Sequence, residues 1–212
     1  MKIITKLLAD IFKVIYNYTG SFGWSIVIFT VLVKLILYPF TAKQNKFIEQ
    51  MKEIQPQMQA IQEKYKDRPE EMNRKIFELY QKHKINPLTG CLPMILQIPI
   101  LFAIFALLKT PEKYLDISFG IKEAFFYGIN LMAPEKFIFP ILAGVTTYWQ
   151  QKLMSTADNP QQSMMLYFFP FLIAMFTANF PAGLAFYWIL TNILTIAQLY
   201  LSRISHTLHK RR

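Results

Sequence analysis

Five stretches of the chain are almost wholly apolar, and each is 17 to 19 residues long without an Asp or Glu. A helix needs about twenty such residues to cross the ~30 Å hydrocarbon layer of a bilayer. The pattern therefore predicts five transmembrane helices, at residues 22–40, 90–108, 137–154, 164–180 and 184–202.

Residues 1–20 show another pattern, a single apolar stripe at helical spacing that Lys6, Asp10 and Lys13 interrupt. The segment has no continuous apolar core with a small-residue cleavage site, so no cleavable signal peptide is predicted. The stripe favours an amphipathic helix that lies in the membrane interface. It consists of Ile3, Ile4, Leu7, Leu8, Ile11, Phe12 and Ile15.

Residues 41–89 are rich in charge, with 10 basic and 7 acidic side chains. Apolar residues recur at steps of four and three from Phe47 to Tyr65, stop at Asp67-Arg68-Pro69 and resume at Met72. Two amphipathic helices joined by a turn are typical of an antiparallel coiled-coil hairpin. Pro56 falls inside the first of these helices and is expected to kink or interrupt it.

These elements predict an all-α, polytopic membrane protein with five transmembrane helices, an N-terminal interfacial amphipathic helix and an antiparallel helical hairpin. The hairpin serves either as a stiff spacer or as a docking surface for the machinery that delivers new chains. The predicted segments are the interfacial helix at 1–20, the first transmembrane helix at 21–40, the hairpin at 41–89, transmembrane helices two to five at 90–204, and a basic tail at 205–212.

Composition and charge agree with a membrane protein and orient it. The chain is 53% hydrophobic and has a net charge of +10. Lys and Arg residues total 15 in segments 41–89, 152–163 and 203–212 taken together, and 7 in the remaining loops. Because cytoplasmic loops carry the excess of Lys and Arg, we predict a plasma (inner) membrane protein with its N-terminus outside and its C-terminus and hairpin in the cytoplasm. This distribution accounts for the charge without DNA binding.

Lys34 lies inside the first predicted transmembrane helix, about 9 Å from its inner end at ~1.5 Å per residue. None of the five stretches contains an acidic residue that could pair with it. A lysine deep in lipid costs from about 2.5 kcal/mol upward, so it usually faces a cavity. The alternative is that its long stem reaches the inner headgroups.

Uncharged polar residues lie at a similar depth and share helix faces with one another. Thr30, Lys34 and Tyr38 recur at steps of four in the first stretch, as Tyr187, Thr191 and Thr195 do in the fifth. Facing each other, such surfaces would line a wet hollow open to the cytoplasm. The candidate lining residues are Thr30, Lys34, Tyr38, Gln97, Gln150, Gln151, Tyr187, Trp188, Thr191, Asn192 and Thr195.

Two other interpretations apply to members of this set. Gln97 could join two helices by a hydrogen bond, and Tyr187 with Trp188 could belong to an aromatic belt at the outer interface. No catalytic motif, metal-ligand spacing or intramembrane carboxylate pair is visible. We therefore predict a protein that is not an enzyme and that needs no cofactor or metal.

Three segments carry a resemblance to a known family. They are the run KINPLTGCLPMILQIPI at 84–100, the Lys34 stretch that ends in YPF, and FPAGLAFYWILTNILTIAQ at 180–198. These segments resemble the YidC-type membrane protein insertases. That family includes the mitochondrial Oxa and chloroplast Albino proteins. The resemblance covers about residues 20–204.

The resemblance implies a five-span core, an outer interfacial helix, a cytosolic hairpin and a groove in the inner leaflet with one basic residue. That residue is usually arginine in the family, whereas Lys34 stands here, which keeps the charge but lacks the planar fork that grips carboxylates. The positions that match the family's groove or substrate contacts are Thr30, Tyr38, Gln97, Gln150 or Gln151, Tyr187 and Trp188.

The function implied is that of an insertase or chaperone that helps nascent membrane proteins enter the bilayer. The expected partners are those nascent chains, the lipid bilayer, and a ribosome and targeting particle at the hairpin and basic tail, with the Sec translocon as a further candidate. The alternative is a small-anion transporter or channel that uses the same hollow, with Lys34 as the ligand.

Overall fold

The computed structural model describes residues 2–86, 89, 92–115, 125–155 and 160–210. Cys91 and parts of the predicted 84–100 motif, of the two loops after it and of the basic tail lie outside these residues. The elements are α1 (Lys2–Thr19), α2 (Phe22–Ile36), α3 (Tyr38–Lys64), α4 (Pro69–Lys82), α5 (Leu92–Lys109), α6 (Pro111–Leu115), β1 (Phe125–Phe126), β2 (Ile129–Asn130), α7 (Ile138–Met154), α8 (Pro160–Thr177) and α9 (Ala182–Lys210).

One hydrophobic core joins α1, α2, α5, α7, α8 and α9. α1 packs against α2 and α5 through Ala9, Phe12 and Tyr16, which are buried, while Leu7 remains exposed. The apolar face of α1 is therefore partly a protein contact. The mostly helical fold predicted from the sequence is confirmed.

The predicted first transmembrane helix is not continuous. α2 ends at Ile36, and α3 begins at Tyr38 and leaves at 64° to α2. Pro39 explains the break, because it has no N–H to donate and its ring would clash with the carbonyl of Leu35, four residues earlier. The prediction that Tyr38 shares a helix face with Thr30 and Lys34 is therefore wrong.

A two-stranded ribbon lies between α6 and α7, where the all-α prediction had none. Phe125 and Phe126 of β1 pair with Asn130 and Ile129 of β2. Tyr127 and Gly128 form the turn, with φ of 47° and 83°. A two-residue turn with both φ values positive matches the twist of a hairpin. The ring of Phe126 packs edge-on to Trp24 and holds the ribbon against α2.

α3 and α4 pack against each other through a second, smaller core. Ile54 and Met58 of α3 are buried with Leu79 and Ile85 of the opposite segment. The hydroxyl of Tyr80 lies 3.9 Å from the sulfur of Met58. α3 continues through Pro56 as one helix.

Few of the described helices are long and apolar enough, taken one at a time, to cross a bilayer. Among the described residues, the stretch Ala182–Ser202 of α9 is long and apolar enough to cross a bilayer, and α2 with α3 passes the same test as a bent pair. Ile95–Lys109 and Leu166–Thr177 are shorter apolar helices.

Candidate functional site

The ammonium of Lys34 lies at the C-terminal end of α2, on the side facing α9. Its Nζ donates a hydrogen bond of 2.7 Å to Oγ1 of Thr195. That hydroxyl in turn donates to the carbonyl of Thr191, also at 2.7 Å. Lys34 falls in the last turn of its helix, where the partial negative charge of the helix terminus favours a cation.

The hydrogen-bond partner of the Lys34 ammonium is a neutral group. Within the described ranges, its side-chain hydrogen bond goes to the hydroxyl of Thr195, and α2 itself contains no acidic residue. A partly buried ammonium held by neutral groups creates a positive potential in a low-dielectric wall.

A second polar contact joins α5 to α9. Nε2 of Gln97 donates to the hydroxyl of Tyr187 at 2.6 Å. Thr191, one turn further along α9, faces the same hydroxyl. Tyr187, Thr191 and Thr195 therefore form one polar stripe, which we call the α9 front stripe, and it meets α5 at one end and α2 at the other.

A third set of polar contacts joins α7 to α9. Nε1 of Trp188 donates to Oγ1 of Thr147 at 3.0 Å, and Nδ2 of Asn192 donates to the same oxygen at 2.9 Å. The Thr147 hydroxyl itself donates to the carbonyl of Ala143. It thus makes its full complement of one donated and two accepted bonds. Asn192 also donates to Thr146 at 3.0 Å.

The polar residues of α9 therefore form two stripes on neighbouring faces. The front stripe turns toward α2 and α5, and Trp188 with Asn192 forms a back stripe that turns toward α7. α9 is thus the helix through which the polar groups of three other helices are linked.

Residues 14–209 match the family model described as 60Kd inner membrane protein. The chain belongs to this family.

Curated relatives of this chain are named membrane protein insertase YidC. The one from Fusobacterium nucleatum is 39% identical over 199 residues, which cover 93% of this chain and 94% of the relative. The one from Geobacter sulfurreducens is 40% identical over 93% of this chain, but the chain spans only 36% of that longer protein.

The fold agrees with a solved member of the family. The crystal structure of an active YidC insertase, with its first transmembrane domain resolved, superposes with a TM-score of 0.70 and 27% identity. The match covers 94% of this chain and 45% of that one. The resemblance to YidC-type insertases inferred from sequence motifs is confirmed.

Several residues predicted to line the hollow make other contacts in this family member. The hydroxyl of Thr30 is buried and donates to the carbonyl of Ile26 in its own helix. Gln150 donates to the sulfur of Met154. Tyr38 lies beyond the break and is 57% exposed. Gln151 is only partly exposed near the end of α7.

The sequence predicts a polar face of the third span that contains either Thr146 or Thr147, but neither threonine is among the candidate lining residues. The adjacent threonines 146 and 147 were a visible signal, because they lie at the same depth as Asn192 in the predicted spans. No periodicity reveals, however, which of two neighbouring hydroxyls faces another helix. Among the described residues no group of His, Cys, Asp and Glu could hold a metal ion.

Proposed function

We propose that this chain is a membrane protein insertase, which helps newly made membrane proteins enter the bilayer. Membership of the 60Kd inner membrane protein family supports a location in the membrane, and the names of its relatives support the activity. The observation that carries the proposal is the ammonium of Lys34, which lies against the neutral hydroxyl of Thr195 on α9, the helix that also bonds Gln97 of α5 through Tyr187.

The proposed topology has five membrane crossings, made by α2, α5, α7, α8 and α9. α1 lies in the outer interface, and α3 with α4 forms the cytosolic hairpin. The N-terminus is outside and the C-terminus is cytoplasmic, as the distribution of Lys and Arg favours.

The proposed substrate groove lies between α2, α5 and α9 and opens toward the cytoplasm. Lys34, Gln97 and the front stripe of α9 form its polar wall. The remaining candidates for its lining are Thr30, Tyr38, Gln150, Gln151, Trp188 and Asn192.

In the proposed mechanism, Lys34 attracts the hydrophilic and often acidic tail of a nascent chain into the groove. Polar side chains and water there replace part of the tail's hydration, which lowers the cost of leaving the cytoplasm. The tail then has to cross only the outer half of the bilayer.

The energy for insertion comes from the substrate itself. Its apolar segment moves from the groove into lipid, and each square ångström of apolar surface removed from water contributes roughly 25 cal/mol. The membrane potential adds about 2.3 kcal/mol per transferred charge at 100 mV. This mechanism requires no nucleotide, cofactor or metal.

The hairpin and the basic tail are proposed to receive the nascent chain from a ribosome or targeting particle. The Sec translocon is a further proposed partner. The balanced charge of residues 41–89, with 10 basic and 7 acidic side chains, suits a solvated docking surface.

The outer half of the bundle favours an insertase over an anion channel. Phe12, Phe22 and Phe29 are each 1% exposed or less, and the ring of Phe12 lies 5.1 Å from that of Phe22 and 5.7 Å from that of Phe29. This aromatic cluster fills the space beyond Thr30, where a channel would need a polar path to the outside.

The charge-attraction step is tested by replacing Lys34 in cells depleted of their own insertase. Lys34→Ala and the shape-conserving Lys34→Met should insert single-span substrates with acidic tails at least about tenfold more slowly, a loss of ~1.4 kcal/mol. Lys34→Arg should insert them at least as well as the native chain, since it keeps the charge.

The matched control is Lys6→Ala, which removes one exposed charge from α1. Normal insertion by both neutral Lys34 variants would refute the role of this charge. Vesicles that pass small anions but give no help to insertion would instead identify the channel.

A further inference from the structure

A cavity of about 680 Å³ lies at the surface between α3, α7 and α9, apart from the Lys34 site. Its lining includes Lys52 of α3, Tyr148, Trp149 and Lys152 of α7, and Tyr200 of α9. None of these residues belongs to the contacts that join Lys34, Gln97 and the front stripe of α9.

The charged part of the cavity is basic. Lys52 and Lys152 come from two different helices, and the ammonium of Lys152 lies 5.9 Å from the centre of the Tyr148 ring. Glu49 and Glu53 neighbour Lys52 along α3 but do not line the cavity, and no other acidic side chain of the described residues does. Two ammonium groups on separate helices can approach one anion from both sides.

The remaining lining is aromatic and apolar, and it leads toward the middle of α7. Trp149 and Val145 are 53% and 54% exposed. Val145 precedes the end of α7 at Met154 by nine residues, or about 13 Å along the helix. The cavity therefore combines two cations, Lys152 in the last turn of α7 and Lys52 midway along α3, with an apolar path toward the bilayer interior.

We infer that this cavity binds an anionic phospholipid, with the headgroup phosphate between Lys52 and Lys152 and an acyl chain along Trp149 and Val145. Basic pockets between transmembrane helices near the cytoplasmic surface suit such headgroups, and Trp and Tyr favour the same level of the membrane. The inference rests on the proposed membrane placement of α7 and α9. It concerns lipid binding and is independent of the insertion step at Lys34.

The apolar path decides between possible anions. A free phosphate or an RNA backbone would use the two lysines but would leave Trp149 and Val145 exposed to water. A phospholipid covers both parts of the cavity, and it would also tie α3 of the hairpin to α7 and α9.

The test measures lipid retention by the purified full-length chain in detergent, using native mass spectrometry. Phosphatidylglycerol should remain bound to the native protein in preference to phosphatidylcholine. In K52Q/K152Q its apparent affinity should fall about 30-fold, or about fivefold for each lysine lost near the membrane surface. Inorganic phosphate at millimolar concentration should not displace it.

The matched control is K64Q/K66Q, which removes two exposed lysines at the tip of the hairpin, where α3 ends and the turn to α4 begins. It should retain phosphatidylglycerol as the native chain does. Equal retention in K52Q/K152Q and the native chain, an equal loss in both double variants, or displacement by inorganic phosphate would each overturn the inference.

A second readout locates the lipid. Brominated acyl chains quench nearby tryptophans, and the part of the quenching that disappears in Trp149→Phe belongs to Trp149. Brominated phosphatidylglycerol should quench the fluorescence of Trp149 more strongly than brominated phosphatidylcholine does. This difference between the two lipids should disappear in K52Q/K152Q. Quenching that is the same for both lipids in the native chain would contradict the proposed site.

Discussion

At the scale of single residues, Asn192 shows how polar groups are accommodated in an apolar bundle. The side chain is 4% exposed, and its amide donates to Thr146 and Thr147 of the facing helix. Each threonine hydroxyl also donates to a carbonyl of its own helix. The amide nitrogen of Asn192 and both threonine hydroxyls are thus hydrogen-bonded, and the contact fixes how α7 and α9 are turned relative to each other.

Asn192→Ala should lower the stability of the purified protein by about 1 kcal/mol, since two interhelical hydrogen bonds at ~0.6 kcal/mol each are lost. The midpoint of heat unfolding, followed by circular dichroism in detergent, should drop by roughly 2–4 °C. Asn179→Ala is the control, because Asn179 is bonded to the carbonyl of Met175 in its own segment. Equal shifts in the two variants would argue against a stabilising role for the α7–α9 contact.

At the scale of elements, the start of α7 is built around Glu135. Its carboxylate accepts hydrogen bonds from the backbone N–H groups of Phe137, Ile138 and Phe139, at 2.7–3.1 Å. Burial acts to raise the pKa of Glu135, but these bonds outweigh it and hold the pKa below its usual value. A negative charge at this end of a helix also suits the helix dipole.

Glu135→Gln should therefore destabilise α7 at neutral pH, by about 1 kcal/mol as for the loss of other N-terminal capping groups. The pKa of Glu135 is lower in the folded state than in the unfolded state, so the stabilisation that its carboxylate provides is complete above the unfolded-state pKa of about 4.3. This stabilisation is lost as the pH falls through the folded-state pKa. The difference in unfolding midpoint between native and variant chains should thus shrink on acidification. Glu63→Gln, at an exposed position of α3, should show no such difference at either pH.

The sequence was informative about elements wherever the length of an apolar run decides them. The predicted span at 137–154 and helix α7 agree to within one residue at the start, and the span at 90–108 lies within two residues of α5. The break at Leu37 was missed because an apolar run hides it, although Tyr38-Pro39 was the local signal. The ribbon at 125–130 was missed because Tyr127-Gly128 was not recognised as a hairpin turn.

At the scale of the whole molecule, the sequence placed polar residues at a common depth but not in contact with one another. Depth follows from counting residues along a helix, so the sequence alone is enough to group Lys34, Gln97 and Thr195. The pairing of Gln97 with Tyr187, and of Lys34 with Thr195, depends on the order and rotation of the helices. Those are set by packing between residues distant in the sequence.

The proposed bundle is polar and open toward the cytoplasm, and closed by aromatic rings toward the outside. A cysteine scan in a Cys91→Ser background should reflect this asymmetry. Cysteines at Gln97 and Thr191 should react with a membrane-impermeant thiol reagent added from the cytoplasmic side, whereas those at Ile26 and Phe29, which are fully buried, should not. Protection at all four positions would mean that the groove holds no water.

The early end of α2 has a consequence for the lipid around it. The helix has 15 residues, about 22 Å at ~1.5 Å per residue, which is roughly 8 Å less than the hydrocarbon layer. Beyond Ile36 the chain turns away by 64° instead of filling the missing length. In the proposed topology this mismatch forces the inner leaflet to thin beside Lys34, at a cost of fractions of a kcal/mol per ångström. The bilayer itself would then shorten the distance that an entering chain has to travel.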